Sequence, residues 1–170
     1  CVLQSGLKHY FEFIFSTIGA DPIVGMTAYN VLSPSALAAT ANVKNHASTI
    51  GYLKAGAIEV AGSNVQSSLA TYIAGDVIGA AVDYSGAAPT IQFYKNGSAV
   101  GTAVSGTTGA QYYPYFSDDI NGAGAANFGQ RAWQGTCPSG FKALCTQNLA
   151  DPAILKPSLY MDVNTRTGTG

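Results

Sequence analysis

The chain reads as an all-β protein, a two-layer antiparallel β-sandwich. Three observations predict that class. Residues 75–104 divide into three strands and two turns. Turn-forming residues recur about every 8 to 12 positions along the chain, the spacing of a sandwich rather than of a helical fold. The densest stretches between turns carry the β-branched and aromatic side chains that fit a pleated, half-buried surface.

Residues 75–104 organise the rest. Residues 76–84 are apolar and small and are bounded by glycines. Ile78, Ala80, Val82 and Tyr84 share one face, and Val77, Gly79, Ala81 and Asp83 share the other. Neither face is strongly polar, which predicts a strand inside a two-layer structure. Residues 90–95 (TIQFYK) form the next strand and residues 98–104 the return strand. Asn96-Gly97 joins them, because a type I′ turn needs positive φ at both central residues.

The other elements follow in order. Within residues 2–15, His9, Phe11, Phe13 and Phe15 alternate with Tyr10, Glu12 and Ile14, a strand with substantial side chains on both faces. Glu12 is expected to partner a turn or a neighbouring strand. Gly19-Ala20-Asp21-Pro22 predicts a hairpin turn into a strand over 23–29. Residues 30–48 read as an exposed loop over one end of the sandwich. A helical turn over 34–41 fits within it, with Ser33 as N-cap and Pro34 at the first helical position. Residues 50–60 give two short strands or a hairpin, and residues 66–73 lead into the organising stretch. Residues 111–117 (QYYPYFS) form a strand that Pro114 confines to an edge or bulge. Residues 118–124 are a loop, residues 125–128 close a strand, and the single tryptophan, Trp133, follows.

Composition narrows the function classes. A length of 170 residues suits one domain with an appendage. Charged residues make up 10%, against a usual share of about 25%. The net charge of −1 leaves no electrostatic footprint for nucleic acid. No apolar run approaches the ~20 residues of a membrane span. Such a surface of small polar residues fits a part of a larger assembly or an extracellular module. Cys1, Cys137 and Cys145 lack metal-ligand spacing; Cys137 and Cys145 pair only if their segments fold back on one another. The start at Cys1 and the Thr167-Gly168-Thr169-Gly170 tail are expected to be cuts in a longer protein. Residues 150–170, with Pro152 and Pro157, are expected to form an extended arm or linker beyond a sandwich over 1–149.

Catalytic patterns are missing. The histidines are His9 and His46, and no G-x-S-x-G elbow accompanies them. Asp118, Asp119 and Asn121 offer loop oxygens, about half of the 6–8 that Ca²⁺ wants, and Asn121-Gly122 is explained by turn geometry. No metal and no cofactor are expected. Tyr113, Tyr115 and Trp133 pair apolar area with a polar handle and could anchor a sugar or a partner protein; the alternative is that they cover an open edge of the sandwich. The binding candidates are therefore Tyr113, Tyr115, Trp133, Asp118, Asp119 and Asn121.

The ordered phrases Ser5-Gly6-Leu7-Lys8-His9-Tyr10-Phe11-Glu12, GDVIG at 75–79, IQFYKNG at 91–97, Tyr112-Tyr113-Pro114-Tyr115 and Asn127-Phe128-Gly129 resemble a SPRY domain. The resemblance implies a concanavalin-like jelly roll used as a binding module, without catalytic residues. The closing phrase GFKALCTQNL at 140–149 is similar to the ends of SPRY-like domains in bacteriophage virion and fibre proteins. That likeness implies a structural or adhesive part of a phage particle, in capsid decoration, tail or fibre, located in the virion or outside the cell. Its partners would be other virion or surface-assembly proteins, a host glycan or surface receptor, or further copies of the same chain. The alternative is a carbohydrate-binding, lectin-like module of a secreted or cell-surface bacterial protein.

Overall fold

The structure is a computed structural model that describes residues 2–3, 5–28, 43–118 and 121–144. The expected helical turn over 34–41, Asp119, Cys145 and the arm over 150–170 lie outside the described residues. Two antiparallel sheets pack face to face, as the sequence predicts. The first has the order β10-β1-β6-β7-β8, with β11 beside β1; the second has the order β5-β4-β3-β2-β9. The strands are β1 (Lys8–Thr17), β2 (Ile23–Ala28), β3 (Thr49–Leu53), β4 (Ala57–Val60), β5 (Ser63–Gln66), β6 (Val77–Asp83), β7 (Thr90–Lys95), β8 (Ser98–Ser105), β9 (Tyr112–Ser117), β10 (Ala123–Asn127) and β11 (Lys142–Ala143). One 3-10 turn, Val43–Asn45, is the sole helical element among the described residues.

Alternation decides what fills the core. Phe11, Phe13 and Phe15 of β1 point inward with Ile78, Ala80 and Val82 of β6 and Ile91 and Phe93 of β7. Val24, Met26, Ile50, Tyr52, Ile58 and Tyr112 meet them from the second sheet. Tyr72 stacks on Phe15 at 6.0 Å and donates a hydrogen bond from its hydroxyl to Pro22 O at 2.8 Å, so its polar tip is satisfied inside the core. Tyr52 donates likewise to Ala70 O, and burial raises its pKa to about 12.

One connection departs from expectation. The turn at Gly19–Pro22 leads from β1 to β2, which lie in different sheets. It is a crossing between layers rather than a hairpin. Gly and Asp-Pro make a tight reversal possible without dictating pairing. Both flanks of β1 are taken by β6 and β10, and both flanks of β2 by β3 and β9. The Asn96-Gly97 turn does form the β7–β8 hairpin, with φ of 49° and 85°. Asn96 Oδ1 accepts the Val77 N–H at 2.8 Å, and its Nδ2 donates to Asp76 at 2.7 Å. Some desolvation of Asp76 is outweighed by bonds from Ile73 N–H, Asn96 and Lys95, and its pKa falls below the usual carboxylate range.

A strap over residues 128–141 covers the outer face of the first sheet. Glu12 is its anchor. This carboxylate is 0% exposed and takes the N–H groups of Gln134 (3.0 Å) and Gly135 (2.7 Å). It also accepts from the Tyr10 hydroxyl at 3.2 Å and from Asn127 Nδ2 at 3.3 Å. Asn127 is the cross-strand partner of Glu12. Its Oδ1 accepts the Gly129 and Arg131 N–H groups, and its Nδ2 reaches the carbonyls of Arg131 and Ala132. Trp133 then packs edge-on against Tyr10, centroids 5.0 Å apart. The turn at Gly97 meets the strap from the far side: a Cβ on Gly97 would lie 3.2 Å from Thr136 Oγ1. Burial, then the Glu12 charge, pushes the Tyr10 hydroxyl and the Cys137 thiol up, so both stay protonated.

Candidate functional site

Strand direction sorts the loops into two ends. Ala28 pairs with Tyr112 and Ile23 with Ser117. The loop that follows β2 therefore leaves beside the start of β9, and the loop that follows β9 leaves at the opposite end. Most of the loop over 30–48 lies outside the described residues, as do residues 119–120 of the loop over 118–124.

The end beside Ala28 and Tyr112 carries the more elaborate surface. Three segments meet there: the entry to β1, the β6–β7 loop and the β8–β9 loop. Backbone bonds knit them together, Gly6 N–H to Tyr84 O (2.6 Å), Leu3 N–H to Tyr112 O (2.9 Å), Gly106 N–H to Pro89 O (2.7 Å) and Gly109 N–H to Ala87 O (3.3 Å). Tyr84 donates its hydroxyl to Ala110 O, and Tyr112 accepts the Thr107 N–H at 2.8 Å. Asp83 shapes the β6–β7 loop by accepting from both the N–H and the hydroxyl of Ser85. Lys8 pairs with Asp83 at 2.7 Å, and this bond, with those from Ser85, holds the Asp83 pKa at about 2.

The result is an open depression of about 810 Å³ lined by Leu3, Ser5, Gly6, Tyr84, Ser85 and Gln111 among others. A second, of about 410 Å³, lies across the β8–β9 loop against Ala28, Ser48, Thr107 and Thr108. Among the described residues, neither lining includes an ionised side chain. A narrower pocket of about 230 Å³ shares Gly6 and Ser85 and adds Leu7, Lys8, His9 and Lys142. Hydroxyls, amides and exposed backbone dominate, a surface suited to recognition by hydrogen bonding and shape. Among the described residues, no group of three or more His, Cys, Asp or Glu is placed to hold a metal ion. No helix among them is long and apolar enough to cross a membrane.

The residues singled out in the sequence are dispersed. Tyr113 and Tyr115 stand on the outer side of β9, opposite Thr27 and Gly25 of β2. Tyr113 donates to Gln111 Oε1 at 3.3 Å, and burial raises the Tyr115 pKa. Trp133 lies on the other sheet, against Tyr10. Asp118 accepts the Gly19 N–H at 2.8 Å and ties the β9–β10 loop to the β1–β2 crossing. Asn121 is exposed, with φ of 78°, and its carbonyl accepts from the Thr17 hydroxyl at 3.0 Å. The Ser85 and Thr107 loops escaped sequence reasoning because Gly, Ser, Ala and Thr carry no chemical signature. The detectable signal was indirect: Asp83 followed by Ser85 is an Asx-turn pattern.

No curated protein matches the chain. Among solved structures, the SPRY domain of human HERC1 superposes with a TM-score of 0.52 at 19% identity, over 74% of this chain and 76% of that one. The family model for the SPRY domain matches residues 8–131. That span opens on the first residue of β1 and closes at Arg131, so it takes in both sheets and the Glu12–Asn127 clamp, and the chain belongs to the SPRY-domain family.

Proposed function

We propose that this SPRY domain is a non-enzymatic binding module of a bacteriophage virion, a capsid, tail or fibre part that engages other virion proteins or a host surface. SPRY domains mediate protein–protein interactions, and the single observation that carries the reading here is the loop end. Its loops are fixed by backbone bonds and present an uncharged, hydroxyl-rich depression on a rigid scaffold. Support for the virion setting comes from the GFKALCTQNL phrase at 140–149 and from the 10% charge content. Sequencing the gene's flanks tests that setting: capsid or tail genes on either side are expected, and a neighbourhood of secretion or polysaccharide-utilisation genes would overturn it.

One observation favours a second reading. Ser5, Ser85 and Gln111 around Tyr84 resemble the polar-plus-aromatic lining that suits a sugar. A glycan array distinguishes the two. Binding to one sugar class, lost in Ser85→Arg, supports a lectin-like module; no binding to any glycan leaves protein recognition as the function.

A further inference from the structure

In a chain with little charge, two lysines come together at one place. Lys8 opens β1 and Lys142 opens β11. β11 runs parallel to β1 with Lys142 in register with His9, so the two lysines hold neighbouring positions of one sheet. Both line the pocket of about 230 Å³ beside the loop end, together with the buried His9. Leu7 adds an apolar side chain to the lining and Ser85 a hydroxyl. Gly6 and Gly140 line it too, and a Cβ on either would meet nothing within 4 Å, so the approach is open.

The two lysines are not equally occupied. Lys8 is paired with Asp83 at 2.7 Å, and its ammonium lies over the Phe141 ring, 5.7 Å from the centroid. These two contacts fix where its charge stands. Lys142 is exposed and makes no ion pair among the described residues. Asp83 is the one described carboxylate that either lysine pairs with, so two ammonium groups border the pocket against a single negative charge. Attraction for an anion is stronger in a walled pocket than on an open surface, because less water screens it.

Size, charge and lining narrow the ligand class. Pockets for whole small molecules usually enclose ~300–1,000 Å³, and about 230 Å³ suits one side chain instead. A single excess positive charge balances a carboxylate, whereas a phosphate monoester carries nearly two negative charges. Among the described residues, no Tyr, Trp or Phe lines the pocket, so a sugar ring finds no face to stack on. The methylene groups of an acidic side chain have Leu7, 36% exposed, to lie against. The larger depression of about 810 Å³ shares Gly6 and Ser85 with this pocket. A peptide main chain laid across the depression can lower one side chain past those two residues.

We infer that this pocket receives the carboxylate of an acidic side chain from a protein segment docked on the loop end, with Lys142 as the pairing group and Lys8 as a fixed second charge. The inference rests on the loop end being the recognition surface and is independent of the virion setting.

Binding of poly-L-glutamate to the full chain at low salt tests this, with polygalacturonate as the acidic-sugar counterpart. Poly-L-glutamate is expected to bind the wild type, and Lys142→Gln to weaken binding by about tenfold. Lys142→Arg, which keeps the charge, is expected to restore most of it, and Arg131→Gln, an exposed cation outside the pocket, to change nothing. Unchanged melting temperatures report that the variants are folded. Gln111→Glu places a carboxylate in the larger depression without touching the pocket. Binding weakened by Gln111→Glu but not by Lys142→Gln overturns the pocket and leaves the loop end standing. Binding that neither change weakens overturns both. Wild type that binds neither polymer, or polygalacturonate alone, overturns the pocket as a site for acidic side chains.

Discussion

Across the outer face of the first sheet, one buried carboxylate gathers four donors, from Tyr10, Asn127, Gln134 and Gly135. At the loop end, the described residues that line the two larger depressions include no ionised side chain, and the loops are held by backbone bonds and tyrosine hydroxyls. The first region concentrates its stability on a few side chains, because a charge taken out of water must be fully paired. The second spreads it over the main chain, which leaves its side chains free to vary. Stability and recognition are thereby separated within one small domain.

The largest expected effect comes from removing the clamp. Glu12→Ala leaves the strap N–H groups and the Tyr10 hydroxyl unpaired in a dry site, and bonds to a charged group are worth ~1.5–3 kcal/mol each. A loss of about 3 kcal/mol or more in urea unfolding is expected, with Glu12→Gln losing roughly half as much. A loss under 1 kcal/mol for Glu12→Ala would show that the strap stands without it. Next comes Gly97→Val. A β-branched residue at φ of 85°, facing Thr136, is expected to cost about 1–3 kcal/mol. An unchanged melting temperature would remove the hairpin from the strap's support.

Acid reads the boundary between the two regions. Asp83 has a folded pKa of about 2, below the ~3.9 of an unfolded chain. Its contribution is therefore complete above pH 4 and disappears as pH falls through 2. The pair is partly exposed, 44% at Lys8 and 29% at Asp83, so the contribution is under about 1 kcal/mol. Asp83→Asn is expected to flatten the stability profile between pH 4 and 2; an identical slope would mean that the pair adds nothing. The smallest effect on stability belongs to the loop end. Ser85→Arg and Thr107→Arg are expected to stay within about 0.5 kcal/mol of wild type while abolishing partner or glycan binding. Asn121→Arg, at the opposite end, is expected to leave binding intact. Binding that survives both loop-end arginines would place the recognition surface elsewhere.

Much of the sandwich was legible because strand alternation and turn chemistry are local. The Asn96-Gly97 hairpin, the doubly covered β6, the edge position of the Pro114 strand and the role of Glu12 as partner to a turn all follow from neighbours in sequence. The layer crossing after β1 was not legible. A Gly-Ala-Asp-Pro turn specifies a reversal, and which sheet receives the next strand depends on flanks of β1 filled by residues 63 to 115 positions away. The setting of Trp133 was not legible for the same reason: exposure of an aromatic is set by what it meets, and Trp133 meets Tyr10, more than 120 residues earlier. The loop-end surface left almost no trace, since backbone hydrogen bonding is available to every residue type.

The position of Trp133 also makes the molecule its own instrument. The chain has one tryptophan, and it sits on the strap rather than between the sheets. Its emission therefore follows detachment of the strap, whereas the far-ultraviolet circular dichroism follows the strands. Coincident denaturation curves from the two signals mean that clamp and sandwich come apart as one unit. Separated curves, with fluorescence changing first, mean that the strap opens while both sheets persist, and that the face beneath it, with Tyr10 and Glu12, has a hidden state of its own.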